Sequence, residues 1–296
     1  MASQKVWEAL RDALTDIGAL EIRQATGGST TTLVDSAKTT GSANTYKGGF
    51  AIVLRDAGGA NAAPEGEMAT ISNYSSGTWT IGTITAAAAS GDRFGVTKAR
   101  FTLPEMIELL NKALRERIGN IVYVDTTTLD STASQTEYTQ SVDWKRNPLR
   151  IDMQTKTGDS NDNRWVRIWD VREVPANPGS TGLFVLPQLS SGYDLRVWYK
   201  STHPAVNAYS DSIAEIIHPE LVKAALVAEI QNFIAEKRQN SDDASKEASN
   251  KAEAKFEMAL QKHYRLLHRF DDLENNLPSY LRGVLSAISD ITKVRL

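Results

Sequence analysis

The chain has no cysteine. Disulfides, thiolate metal sites and cysteine nucleophiles are therefore excluded, and nothing in the composition points to an oxidising compartment. It also has no excess of basic residues: 33 Lys+Arg against 36 Asp+Glu leave a formal net charge of −3, so no bulk positive field recruits nucleic acid. No apolar run approaches the ~20 residues a transmembrane helix needs. The opening stretch MASQKVWEALRDAL reads as an amphipathic helix rather than a signal peptide, since it lacks a continuous apolar segment. The sequence has no GxxxxGK(S/T) phosphate loop, no GxSxG elbow, no SxxK pair and no HExxH helix. No constellation for catalysis stands out, and no cofactor is expected.

Histidine is scarce, with four in the chain. His203 and His218 each precede a proline, at element boundaries. His263 and His268 are five residues apart and do not share a helix face as an i, i+4 metal pair does. These four read as satisfied core or interface histidines rather than zinc ligands. Asp159, Asn161 and Asn163 resemble the start of a calcium loop. However, Arg164 stands where glycine makes the turn and Asp170 where glutamate closes the shell, so a polar hairpin turn is expected. Trp144, Trp165, Trp169, Trp198 and Tyr199 suggest a stacking platform for bases or sugars, with Trp165, Arg167 and Trp169 on one strand face. Aromatics in a half-buried sheet are more often core. Asp271, Asp272 and Glu274, like the basic run Lys262–Arg269, read as solvated faces or an intersubunit pair.

What the sequence does have is a long helical hairpin, Tyr209–Phe270. Ile213, Ile216, Ile217, Leu221, Val222, Leu226, Ile230, Phe233 and Ile234 recur mostly three or four apart. Ala252, Phe256, Ala259, His263, Leu266 and Phe270 step by four and three, so each set lies on one helix face. A polar turn, QNSDDASKEAS, separates them, and Asp211 or Ser212 is the expected cap. Two further helical stripes precede the hairpin. Val6, Leu10, Leu14 and Ile17 form one that Gly18 loosens. Leu103, Ile107, Leu110, Leu114 and Ile118 form another that Gly119 stops, with Thr102 as N-cap and Pro104 in the first turn. Helices are thus expected over 3–20, 103–118, 212–238 and 244–270. Between them, Gly/Ser/Thr-rich segments with short apolar runs read as small antiparallel sheets.

The expected fold class is α+β: a four-helix bundle with two inserted antiparallel β modules and a C-terminal helical tail. Residues 1–24, 102–120 and 209–276 make the bundle, 25–101 the first β module, 121–208 the second, and 277–296 the tail. In the tail Pro278 interrupts the chain, and Leu281, Val284, Leu285, Ile288 and Ile291 then step by three or four. That amphipathic stripe has no obvious place in a complete four-helix core. It is expected to dock onto a partner, with packing as a fifth helix on its own bundle as the alternative.

The order of motifs resembles the head–tail connector (adaptor, neck) proteins of tailed bacteriophages. The first β module carries TTTLVDS, YKGGFAIV, ATISNYSSGTWTI and SGDRFGV, followed by a helix containing LLNKAL. The second carries LRIDMQT, WVRIWDVREV, GLFVLP and GYDLRVWYK, and Asp211 and HPELV then lead into the hairpin. The resemblance implies a structural virion protein without enzymatic activity. It would be assembled in the host cytoplasm and located in the virion neck, between head and tail. It would form a homo-oligomeric ring, commonly dodecameric, below the portal protein, docking the tail or a tail-completion protein. Genomic DNA would pass through without specific binding, and no membrane would be involved. Two other classes stay open: a carbohydrate- or receptor-binding virion or tail module using the β domains and their tryptophans, and an enzyme with an unrecognised site.

Overall fold

The structure is a computed structural model. It describes residues 3–59, 62–125, 129, 131, 134–139, 150–155, 164–169, 171–174, 183–189, 193–237 and 243–267. The chain divides into two compact units. The first is Met1–Gly119 with His203–His263; the second is Asn120–Thr202 with Tyr264–Leu296.

The first unit opens with α1 (Val6–Asp16). The Glu8 carboxylate reaches back to accept the Lys5 backbone N–H at 2.7 Å, satisfying a donor that the first turn would otherwise leave unpaired. Gly18 takes φ +67°, while Gly18 N–H donates to the Thr15 carbonyl and Ala19 N–H to that of Leu14. This pair of bonds is a Schellman stop, which glycine permits because it has no Cβ to clash. The chain therefore reverses at once into β1 (Leu20–Gln24), a strand where the sequence pattern places the end of a helix.

Next come β2 (Gly27–Ser29), β3 (Thr32–Val34), a single turn α2 (Ala43–Tyr46), β4 (Phe50–Arg55), β5 (Met68–Ser75), β6 (Thr78–Ile81) and β7 (Arg93–Thr97). They form one antiparallel sheet in the order β1-β7-β4-β5-β6-β3-β2. The β5–β6 hairpin pairs Ser75 with Thr78 across Ser76-Gly77, both at positive φ, the geometry of a two-residue I′ turn. Alternation along β6 buries Trp79 and Ile81. Trp79 lies at the centre of an aromatic cluster, with ring centroids 4.9 Å from Tyr74, 5.6 Å from Tyr46 and 5.4 Å from Phe94.

The helix α3 (Leu103–Lys112) starts after Thr102 and passes into a π-helical turn, Ala113–Arg117. The hairpin is α4 (Pro219–Lys237) and α5 (Asp243–Leu267). Residues 221, 222, 225, 226 and 228 to 230 of α4 are all buried, so this helix is covered on more than one side; α1 and α3 pack against it. Helix α5 buries Ala252, Phe256, Ala259 and His263, the stripe its periodicity marks.

In the second unit, β8 (Asn120–Asp125), β10 (Arg150–Thr155), β11 (Arg164–Ile168) and β14 (Leu195–Thr202) form a four-stranded antiparallel sheet in the order β11-β10-β14-β8. A three-stranded sheet joins β9 (Glu137–Thr139), β12 (Arg172–Val174) and β13 (Leu183–Val185). Both contribute to one core, with Tyr138 and Leu186 packed among Ile151, Ile168, Leu195 and Val197.

This architecture overturns the expected four-helix bundle with two inserted β modules. Antiparallel sheet predominates, as sheets of seven, four and three strands, beside four helices longer than one turn among the described residues. The seven-stranded sheet is not an insertion into a bundle. It shares a unit with α1, α3, α4 and most of α5, β1 follows α1 after only three residues with Gly18 at their centre, and Gly66 of the β4–β5 connection lies against Trp7 of α1, where a Cβ would be 2.6 Å from Nε1. A helical stripe records that a face is apolar; it does not record whether the face meets a helix or a sheet. The hairpin's start also moves. Ser212 forms a β-bridge with Lys5, Asp211 accepts the N–H groups of Asn207 and Ala208 in a turn, and the helix begins at Pro219. Proline suits N1 and disfavours helical backbone in the residue before it, so Ile213, Ile216 and Ile217 lie ahead of the helix rather than on it. The tail 277–296 lies outside the described residues. Among the described residues no helix is long and apolar enough to cross a membrane.

Candidate functional site

The tail residues Leu281, Val284, Leu285, Ile288 and Ile291 lie outside the described residues, as do Trp144, Asp159, Asn161, Asn163, Asp170, His268, Asp271, Asp272 and Glu274. Among the described residues three groups stand out, two of them built on residues that the sequence singles out.

The first group is a histidine cluster where α4 begins. Pro219 opens that helix, which makes His218 its N-cap; His218 Nδ1 accepts the Glu220 backbone N–H at 3.2 Å. Glu220 presents its carboxylate toward α5, where its Oε2 accepts Lys262 Nζ at 2.7 Å and lies 3.1 Å from His263 Nε2. Those two donors bring the Glu220 pKa down to about 2. The His218 and His263 rings stack with centroids 4.1 Å apart and planes 11° from parallel. Burial and the neighbouring His263 ring hold His218 below the usual histidine range. Each of His218, Glu220 and His263 offers one ligand atom, all within 4.8 Å of one another.

Comparing His263 with His268 missed this cluster, because the partner lies on the other arm of the hairpin. A signal was present: His218 and His263 are about equally far from the polar turn near 240, and antiparallel helices pair residues in that relation. His203 is different. It is buried, its Nε2 accepts the Ala214 N–H at 2.9 Å and its Nδ1 lies 2.6 Å from the Pro204 carbonyl, so it is a neutral ring with the proton on Nδ1. Burial keeps its pKa below the usual range.

The second group is one face of the four-stranded sheet. Pleating places Arg150, Asp152 and Gln154 of β10 on the same face as Arg196 and Trp198 of β14 and Trp165 and Arg167 of β11. Asp152 is fully buried at the centre. Arg150 Nε donates to Oδ1, while Arg196 Nη2 at 2.7 Å and Trp198 Nε1 at 2.9 Å donate to Oδ2. Burial opposes the charge, but these bonds outweigh it and hold the carboxyl below the usual range. The Arg196 guanidinium lies 4.5 Å from the centroid of Trp165 and 5.1 Å from that of Trp198. Beyond them Trp169 is 70% exposed, with Arg167 4.2 Å over its ring. The tryptophans on this face therefore alternate with arginines instead of filling the core, which is held by the opposite face through Ile151, Leu195 and Val197.

The third group, which the sequence did not flag, ties α3 to both arms of the hairpin. The π turn brings Arg117 to the buried carboxylate of Glu229 on α4, which Lys112 also meets at 3.0 Å. Arg117 Nη1 further donates to Glu253 of α5 at 2.7 Å. A π turn offsets the helix register after it, and periodicity read at 3.6 residues does not show it.

No protein-family model matches the chain, and no curated protein does either.

Proposed function

We propose that this chain is a structural virion protein: a head-to-tail adaptor of a tailed bacteriophage that forms a ring below the portal, extends the DNA channel and docks the tail. The observation that carries the reading is the serial order of its motifs. YKGGFAIV runs from α2 into β4, ATISNYSSGTWTI spans the β5–β6 hairpin, SGDRFGV enters β7, and LLNKAL ends α3. LRIDMQT and DLRVWYK supply the paired strands β10 and β14, and HPELV opens α4. Closed rings use heterologous interfaces, one face of each copy meeting another face of the next. Residues 277–296 are the proposed portal-docking segment, through Leu281, Val284, Leu285, Ile288 and Ile291.

Negative-stain imaging and light scattering of the purified protein, with and without portal rings, test the proposal. The expected result is a monomer alone and a ring on the portal. A small dimer or trimer that persists at every concentration contradicts it. Deleting 277–296 should leave the monomer's unfolding unchanged and abolish portal attachment; a loss of several kcal/mol in the monomer would instead place the tail in its own core.

A second reading, a carbohydrate- or receptor-binding virion module, is favoured by the exposed Arg167–Trp169 stack beside the Arg196–Trp165–Trp198 ladder. Binding on a glycan array that Trp169→Ala removes, with no ring on the portal, would favour this reading over the adaptor.

A further inference from the structure

We infer that His218, Glu220 and His263 form a site for a divalent first-row transition-metal cation, zinc by preference, that fastens the start of α4 to α5. The donor set is two imidazoles and one carboxylate, the combination that zinc takes up with a remaining position for water. The carboxylate oxygen and the ring nitrogens lie within 4.8 Å of one another. Ligands about 2.1 Å from a tetrahedral ion are separated by roughly 3.4 Å, so the three atoms must draw closer by little more than an ångström. The elements allow it. His263 is held in the buried stripe of α5, so the adjustment falls on the Glu220 side chain, which is 43% exposed, and on His218 at the helix end, whose ring must turn out of its stack on His263 for the two in-plane lone pairs to converge.

The cluster also has a feature that a cation would resolve. Two imidazole rings lie face to face at 4.1 Å, and a single carboxylate oxygen, Glu220 Oε2, serves both His263 and the Lys262 ammonium. His218 Nδ1 is taken up by the Glu220 N–H, which leaves its Nε2 to the cluster. A metal at Nε2 places the ring proton on Nδ1 and ends that cap bond, while a metal at Nδ1 displaces it. Either mode gives up that 3.2 Å cap bond and also draws on the carboxylate that Lys262 holds at 2.7 Å, so affinity in the micromolar range is expected rather than that of a closed structural site. Lys262 competes for the same carboxylate oxygen, and its side chain, 62% exposed, is free to leave it for water.

The test is titration of the full chain with zinc, followed by calorimetry and thermal unfolding, with cobalt(II) absorption reporting the ligand set. Zinc should bind one equivalent with a micromolar Kd and raise Tm. Glu220→Gln, at a half-exposed position, should weaken binding at least tenfold while the apo protein melts close to wild type; His263→Gln should weaken binding as much but also lower the apo Tm, because it replaces a buried ring stacked on His218. Lys262→Met should tighten binding severalfold by freeing the carboxylate. The inference is overturned by no binding at millimolar zinc, by binding that Glu220→Gln leaves intact, or by a Lys262→Met variant that binds no better than wild type. None of these outcomes bears on ring formation at the portal, so this inference and the adaptor reading fail separately.

Discussion

Replacing Asp152 with asparagine probes the arginine–tryptophan face directly. Asparagine keeps the shape and one acceptor oxygen but removes the charge, leaving Arg150 and Arg196 beside a neutral group in a site with no exposure of its own. Removing one partner of a buried ion pair costs about 3–5 kcal/mol. The arginine side chains here retain 25% and 23% exposure and can turn partly to water, which places the cost near the low end, about 3 kcal/mol. For a unit of somewhat more than 100 residues each kcal/mol moves Tm by about 4 °C, so the second unit should melt about 12 °C lower. Tryptophan fluorescence during thermal unfolding reads this, and hydrogen exchange over 150–155 and 195–202 localises it.

The same reasoning fixes a pH dependence. The folded Asp152 pKa lies below its unfolded value of about 3.9. Its contribution is therefore fully present above that value and is lost as pH falls through the lower folded pKa. The gap between wild type and Asp152→Asn should be constant near neutrality and close under acid, below about pH 4. A variant that melts within two degrees of wild type at pH 7, or a gap that widens with acid, refutes the buried-carboxylate account.

Three other outcomes are expected. Arg117→Met leaves Glu229 buried with only Lys112, and should cost about 2–3 kcal/mol in urea denaturation, part of the penalty of a fully broken pair; unchanged stability would mean Lys112 suffices. Gly77→Ala places a Cβ 2.2 Å from the Asp35 carbonyl at φ +82° and should cost about 2 kcal/mol or more, a loss that Gly27→Ala, where nothing lies within 4 Å, should not reproduce in an equilibrium melt. Duplex DNA should show negligible affinity at physiological salt in fluorescence anisotropy, an expectation that the net charge of −3 fits; tight binding with a steep salt slope would point to a nucleic-acid-binding role instead.

Much of the local structure is written in the sequence. Steps of three and four mark α5 through Ala252, Phe256 and Ala259, and Ser76-Gly77 marks the β5–β6 turn, because each depends on backbone sterics or periodicity within a few residues. The apolar steps from Ile213 onward instead point to a helix from 212, seven residues ahead of the Pro219 where α4 begins. Gly18 also signals an end, but only the Schellman bonds to Leu14 and Thr15 decide that the chain turns back as β1 and joins the sheet beside β7. Whether the helices meet one another or a sheet, the stacking of His218 on His263 and the burial of Asp152 between two arginines depend on residues brought together from distant parts of the chain. Composition and periodicity report what one segment would bury. The partner it is buried against is chosen by packing, which adds up over many weak contacts, and by buried polar groups, which must each find a counterpart wherever in the chain it lies.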